Sequence, residues 1–231
     1  ASAQFTHVDV NFGSNNDGFG GLATAAQDSS NWTLETESIR MNHEDGVVGS
    51  WDNMVANTEV SGISGEDFEM TAEMDVNGSV PSNASRWSLR FLQAGTDAAE
   101  LHPQMAYQPE KNGGELSFTL SAGNGFGTVD DNIGLDVSSP WTFTLSGSYD
   151  GSGDLSLAGS VTDGSKNGSI SGTIASGNVP SGEFMGFGAR VSGAPFDTDV
   201  NSFSVVPEPG AVALLMGLGS LAFVAIRRRS R

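Results

Sequence analysis

Between residues 67 and 76 the chain alternates without a break. Phe68, Met70, Ala72, Met74 and Val76 fall on one phase, and Asp67, Glu69, Thr71, Glu73 and Asp75 on the other. Only an extended strand places i, i+2 and i+4 on a common face, so this segment is a strand with one buried and one wetted side. The same period of two recurs at Trp87, Leu89, Phe91, at Leu116, Phe118, Leu120, and at Trp141, Phe143, Leu145. Shorter runs follow at 155–157, 170–174, 185–191 and 203–205. Between them lie Asp150-Gly151-Ser152-Gly153, Asp163-Gly164 and Asn167-Gly168, pairs that supply the positive φ of tight hairpins. No stretch before residue 210 carries a helical stripe. Many short strands with one apolar face each can satisfy themselves only by packing sheet against sheet. The expected fold is therefore all-β, a two-sheet antiparallel β-sandwich over residues 1–206, with Trp32, Trp87 and Trp141 in its core. Two segments, 13–31 and 94–114, read as longer irregular loops at its rim.

Composition agrees and narrows the function. Thirty-one glycines favour turns over helices, and 13 Phe with 4 Trp supply enough apolar bulk to exclude disorder. With no cysteine, thiol catalysis, disulfides and Cys-type zinc sites are excluded. Four of the ten basic residues, Arg227, Arg228, Arg229 and Arg231, occupy the last five positions, and Glu208 is the one acidic residue beyond 206. The body thus holds six basic residues against 27 acidic ones, a balance that repels phosphate backbones and excludes nucleic acid as a partner.

Residues 207–231 have three parts in fixed order. Pro207, Glu208 and Pro209 form a stiff extended lead-in. An uncharged stretch, 211–226, follows, and the arginine cluster 227–231 closes the chain. As a helix, residues 211–226 would reach about 24 Å, close enough to a hydrocarbon core of about 30 Å for flanking residues and snorkelling arginines to complete the span. A transmembrane helix over 210–226 is expected, with the arginines holding the cytoplasmic side and the acidic body outside. This tail resembles the PEP-CTERM sorting signal in its Pro-Glu-Pro motif, Gly-containing Leu-rich helix and arginine cluster. The resemblance implies handling by an exosortase-type membrane peptidase that recognises Pro207, Glu208 and Pro209. It also implies an inner-membrane-anchored precursor delivered to the cell surface or extracellular matrix. Ala1-Ser2-Ala3 looks like the small-residue end of a cleaved signal peptide, so a hydrophobic leader is expected upstream.

The body, in turn, resembles the concanavalin A-like or laminin-G-like jelly roll over residues 5–206. The likeness rests on 7–12, Asn31-Trp32-Thr33, 65–70, 186–190 and 201–205. It raises glycoside hydrolysis, which needs two carboxylates. Glu73 and Asp75 match the start of the laminarinase-like strand motif, but neither Asn77 nor Gly78 supplies its second glutamate. His7, His43 and His102 are scattered without ligand spacing, and no nucleophile elbow, zinc-binding helix or phosphate loop occurs. The body therefore reads as non-enzymatic, with no catalytic residue assigned.

Two ligand chemistries remain. Asp197, Asp199 and Asn201 place oxygens at alternate positions, as calcium prefers, with an ordinary polar segment as the competing reading. In related jelly rolls a structural Ca2+ ties the first and last strands, which implies Asp9 or Asn11 as a further ligand. Asp150 and Asp154 form a second acidic turn. Sugar binding needs exposed aromatic rings, for which Trp51 and Tyr107 are the candidates, with core packing as the alternative. The expected role is a non-enzymatic surface or matrix protein. A polysaccharide-binding, lectin-like protein is the alternative, and a divergent glycoside hydrolase the third.

Overall fold

The computed structural model describes residues 8–11, 32–34, 38–43, 52–77, 85–94, 103–121, 124–191 and 196–207. Fourteen strands form among them: β1 (Val8–Asn11), β2 (Trp32–Leu34), β3 (Ile39–His43), β4 (Asp52–Glu59), β5 (Phe68–Asn77), β6 (Arg86–Gln93) and β7 (Gln104–Gln108). They continue with β8 (Glu115–Ser121), β9 (Asn124–Asp130), β10 (Trp141–Tyr149), β11 (Leu155–Thr162), β12 (Asn167–Ile174), β13 (Phe184–Val191) and β14 (Phe196–Pro207). No described residue is α-helical. Over the described residues the fold is all-β, as the alternation requires.

Two antiparallel sheets result. The larger runs β12-β11-β10-β5-β14-β3-β2, with β1 also on β14, and the smaller runs β4-β13-β6-β7-β8-β9. The 12-residue β14 pairs with β5 along one edge, while β3 and β1 share its other edge. Each alternating run buries its apolar phase: Phe68, Met70, Ala72 and Met74 of β5 are fully buried, as are Trp141, Phe143 and Leu145 of β10. At the centre Trp141 meets Trp87 and Tyr107 edge-on, ring centroids 5.3 Å apart in both pairs. The polar handle of each ring is satisfied, as burial demands. Trp87 Nε1–H donates to Thr198 Oγ1 at 2.9 Å, Trp141 Nε1–H to the Asp136 carbonyl at 2.9 Å, and Tyr107 Oη accepts from the Leu135 N–H at 3.1 Å.

The loop expected over 94–114 contains β7, a difference with a clear cause. Met105 and Tyr107 are two apart and both fill the core, while Pro103 and Pro109 stand outside the strand's ends. The strand was hidden because its other phase carries Gln104, Ala106 and Gln108, with no apolar repeat long enough to stand out. β9 stands out even less, because Asn124, Gly125 and Gly127 are residue types that favour turns.

Gly127 in fact closes a seam between the sheets. Thr128 Oγ1 donates to the Ser171 carbonyl at 3.2 Å and accepts from the Ser171 N–H at 2.8 Å. Asp130 Oδ2 accepts from the Ser169 N–H at 2.9 Å. These bonds lay the edge of the small sheet on the edge of the large one, so neither edge is left open at this point. A β-carbon on Gly127, whose φ is +74°, would run into the Ser171 carbonyl oxygen.

Two outcomes follow. Gly127→Ala should lower stability by about 2 kcal/mol, from left-handed strain plus the clash, whereas Gly125→Ala should be nearly neutral, both read by chemical denaturation. Asp163 accepts from the N–H groups of Asp136, Ser165 and Lys166 and from the Ser165 hydroxyl, at 2.6–2.9 Å. Those donors hold its carboxyl far below the usual range. A depressed carboxylate contributes stability above its unfolded pKa of about 3.9 and loses it as pH falls through the lower folded value. Asp163→Asn should therefore cost about 1–3 kcal/mol at neutral pH and flatten the loss of stability below pH 4, measured by thermal unfolding across pH.

Candidate ligand-binding face

The inner phase of β6 is fixed by Trp87, Leu89 and Phe91, all fully buried in the core. Ser88 and Arg90 therefore point to the outer face of the six-stranded sheet. That face is also shielded: Ser88 and Asn57 are each 4% exposed, and Arg90 and Gln104 each 3%. Register places Asn57, Gly186, Arg90, Gln104, Thr119 and Gly125 side by side, one from each strand, in a row crossing the whole sheet. At about 4.8 Å between strands the row is about 24 Å long. Its glycines leave the backbone approachable where other positions carry polar side chains.

One irregularity adds a member to this face. By period two, Gln93 would follow Trp87, Leu89 and Phe91 into the core. Between Phe184–Gly186 of β13 and Arg90–Gln93 of β6 the register shifts by one residue. Leu92 takes up the extra position with φ +49°, a conformation that is costly for a branched side chain. Its side chain stays in the core, and Gln93 swings to the outer face, where its Oε1 accepts from Asn57 Nδ2 at 3.3 Å. The bulge converts a core position into a polar one.

Several polar atoms on this face have no protein partner: Arg90 Nε and Nη1, Gln93 Nε2, Asn57 Oδ1 and Thr119 Oγ1. Burial, and secondarily the charge of Arg86, pushes the Arg90 guanidinium down to about 10. Buried donors that have given up water without replacement carry a cost of about 1–3 kcal/mol each. A ligand bearing oxygen acceptors would satisfy the donors among them.

The residues singled out from the sequence fare differently. Tyr107 is fully buried against Trp141 with its hydroxyl bonded to Leu135, so it is a core peg and is corrected as a sugar-stacking residue. Trp51 lies outside the described residues. Trp87 and Trp141 are core, as expected.

Among the four residues read as calcium ligands, the backbone of Asp9 is paired with Ser204, five residues along β14 from Asp199, or about 16 Å. Asp199 instead accepts both forks of Arg40, Nε at 2.9 Å and Nη2 at 3.0 Å. Asn201, at the bulge of β14, donates to Asp75 Oδ2 at 2.8 Å. That bond also engages Asp75, one of the two carboxylates of the incomplete hydrolase motif. Asp197 stands opposite Asn42 and Asn77. In the second acidic turn, Asp150 Oδ1 is taken by the Ser152 and Asp154 N–H groups and the Ser152 hydroxyl. No group of three or more metal-ligating side chains gathers among the described residues.

Pro207 ends β14 opposite Phe68, so the chain remains strand up to the first residue of Pro-Glu-Pro. Glu208, Pro209, the span expected over 210–226 and Arg227, Arg228, Arg229 and Arg231 lie outside the described residues. Among the described residues no helix is long and apolar enough to cross a membrane.

The residues that sequence reading missed are Arg86, Arg90, Arg190, Gln93, Gln104 and Asn57. A signal was present for the arginines: in an acidic body, Arg86 and Arg90 share the polar phase of one alternating run. Arg190 ends another such run.

Comparison with known proteins bears on both halves of the chain. Residues 205–229 match the PEP-CTERM protein-sorting motif. No curated protein matches the sequence. Among solved structures the chain is similar to arcelin-5, a lectin-like defence protein from Phaseolus vulgaris, at 11% identity and a TM-score of 0.53, over 88% of this chain and 98% of that one. It is similar to the metal-free Emp46p carbohydrate recognition domain at 12% identity and a TM-score of 0.52, over 85% and 94%. It is also similar to the PL-14 alginate lyase of the marine Aplysia kurodai at 9% identity and a TM-score of 0.50, over 78% and 88%. The fold is thus the lectin-like, concanavalin A-like jelly roll.

Because Asp199 and Asn201 are already engaged, millimolar calcium should leave the melting temperature within about 1 °C of the calcium-free value. A rise of several degrees, abolished by Asp199→Asn, would restore the ion site.

Proposed function

We propose that this chain, which carries a PEP-CTERM sorting motif over residues 205–229, is an exported, non-enzymatic cell-surface or extracellular-matrix protein. Its body holds polysaccharide on the outer face of the six-stranded sheet. The division is a sandwich body over 1–206 and a sorting tail over 207–231, the tail spanning the inner membrane as a helix at 210–226 until an exosortase-type peptidase acts on it. An acidic body and an arginine-tipped tail support that orientation.

The observation that carries the binding role is the six-strand row from Asn57 to Gly125, with unpaired amide and guanidinium donors at its middle. Sugars present dense arrays of hydroxyl and ring oxygens, and side-chain amides and arginine forks are the groups that pair with them. Alternation then has a functional reading: the inner phase packs the sandwich, and the outer phase of the small sheet is chemically equipped. The non-enzymatic reading draws on the pairing of Asp75 with Asn201 and on the missing second glutamate of the hydrolase motif.

The full-length chain, kept in non-ionic detergent, should be retained by at least one insoluble or immobilised polysaccharide and release no cleaved or unsaturated product from it. Retention by none, with the far-ultraviolet spectrum showing a folded sheet, would reduce the body to an inert structural module. Released product would make it an enzyme.

A further inference from the structure

Resting on the reading of the tail as the substrate of an exosortase-type membrane peptidase, we infer that the folded body withholds the sorting motif, so the cut is made only while the end of β14 is undocked. The motif and the sandwich share residues. The match to the sorting motif begins at Val205, yet β14 continues to Pro207. Val205 is fully buried and paired on both edges, with Met70 of β5 and with Val8 of β1. Val206 and Pro207, half-buried, stand opposite Glu69 and Phe68. Just upstream, Phe203 is fully buried with its ring against Phe187, centroids 5.4 Å apart.

A peptidase closes on an extended segment from both sides. In the folded body those sides are already taken at Val205, by β5 along one edge and β1 along the other, each about 4.8 Å away. The downstream side offers little more room. From Pro207 to the span expected at 210 the chain reaches about 11 Å at full extension, and the headgroup layer fills about 5–7 Å of that. What remains is narrower than the roughly 10 Å that a strand and a wall on each side occupy.

Topology supplies the interval in which the motif is accessible. β14 is the last strand in the chain, and it lies between β5 and β1 rather than at an edge of the larger sheet. Its pairing of Val205 with Val8 joins the two ends of the body, and pairings this distant in sequence form slowly. Until β14 docks, the peptidase meets an open segment. Once it docks, cleavage follows the population of the locally opened strand. With water as the acceptor, the cut breaks one peptide bond and leaves a carboxylate on the body and an amine on the tail. Which of docking and cleavage comes first then decides whether the body stays on the membrane or is released.

The experiment follows cleavage of the folded full-length chain, co-reconstituted in vesicles with an exosortase-type peptidase. A spacer of about six Gly and Ser residues between Val206 and Pro207 carries the motif clear of the sheet and should speed the cut roughly tenfold or more. Glu208→Ala should stop the cut in both chains. Phe203→Ala loosens β14 outside the matched residues and should also speed cleavage; the far-ultraviolet spectrum reports whether that variant folds, and the spacer chain carries the test if it does not. In the unaltered chain the Val205 amide should exchange with solvent deuterium about a thousandfold more slowly than in a peptide of residues 203–210. Equal cleavage of the folded unaltered and spacer chains, or a Val205 amide exchanging at the peptide's rate, would overturn the shielding and leave the peptidase reading intact. No cleavage of either chain, or cleavage that Glu208→Ala leaves unchanged, would overturn the peptidase reading and the shielding with it.

Discussion

A hydrogen bond crosses the core from the Trp87 indole to the Thr198 hydroxyl, and the geometry of both sheets depends on what surrounds it. Trp87 and Tyr107 come from the small sheet, Trp141 and Thr198 from the large one. Edge-on contacts at 5.3 Å fix how the sheets sit over one another. Aromatic pairs of this kind add about 0.5–1.5 kcal/mol beyond the area they bury, and each ring here also has its polar atom satisfied. With Trp87 pinned inward, the phase of β6 has no freedom. Leu89 and Phe91 follow it into the core, and Ser88 and Arg90 must face away.

The bulge at Leu92 acts on that fixed phase. A strand locked inward at Trp87 would drive Gln93 into an apolar interior, where an amide without partners is expensive. One extra residue with a left-handed backbone reverses its side, and the cost of a branched residue in that conformation is offset by keeping the amide beside Asn57. The outer face then accumulates donors faster than the protein supplies acceptors. Local strain and unpaired polar atoms thus meet in one place, which is the ground for proposing a ligand there.

Much of this was legible in the sequence because half-buried strands advertise themselves. β5 and β10 alternate cleanly, and their apolar phases are the buried ones. The sandwich could be read from such runs, its lectin-like form only from a resemblance carried by segments such as 7–12 and 65–70, and the sorting tail from its three-part order. Where both faces of a strand are buried the pattern loses its meaning. In β6 the polar phase looks solvated yet Ser88 and Arg90 are shielded, and a one-residue bulge is invisible to periodicity. Tyr107 failed for a related reason, since a tyrosine between prolines reads as loop while its ring fills the core. The pairing of the expected calcium ligands was not legible either: the oxygens of Asp199 and Asn201 look available in the sequence until Arg40 and Asp75 are brought beside them by strands more than 100 residues away.

The most direct measurement is the side-chain NMR spectrum of the protein titrated with a soluble fragment of a polysaccharide that retains it. The Nε–H signal of Arg90 and the amide NH2 signals of Asn57, Gln93 and Gln104 should shift together and saturate at one concentration, while signals from Thr71 and Glu73 on the opposite sheet stay in place. Shifts confined to the eight-stranded sheet or its turns, with the Arg90 and Gln93 signals unmoved, would contradict the outer face of the small sheet as the place where a polysaccharide is held.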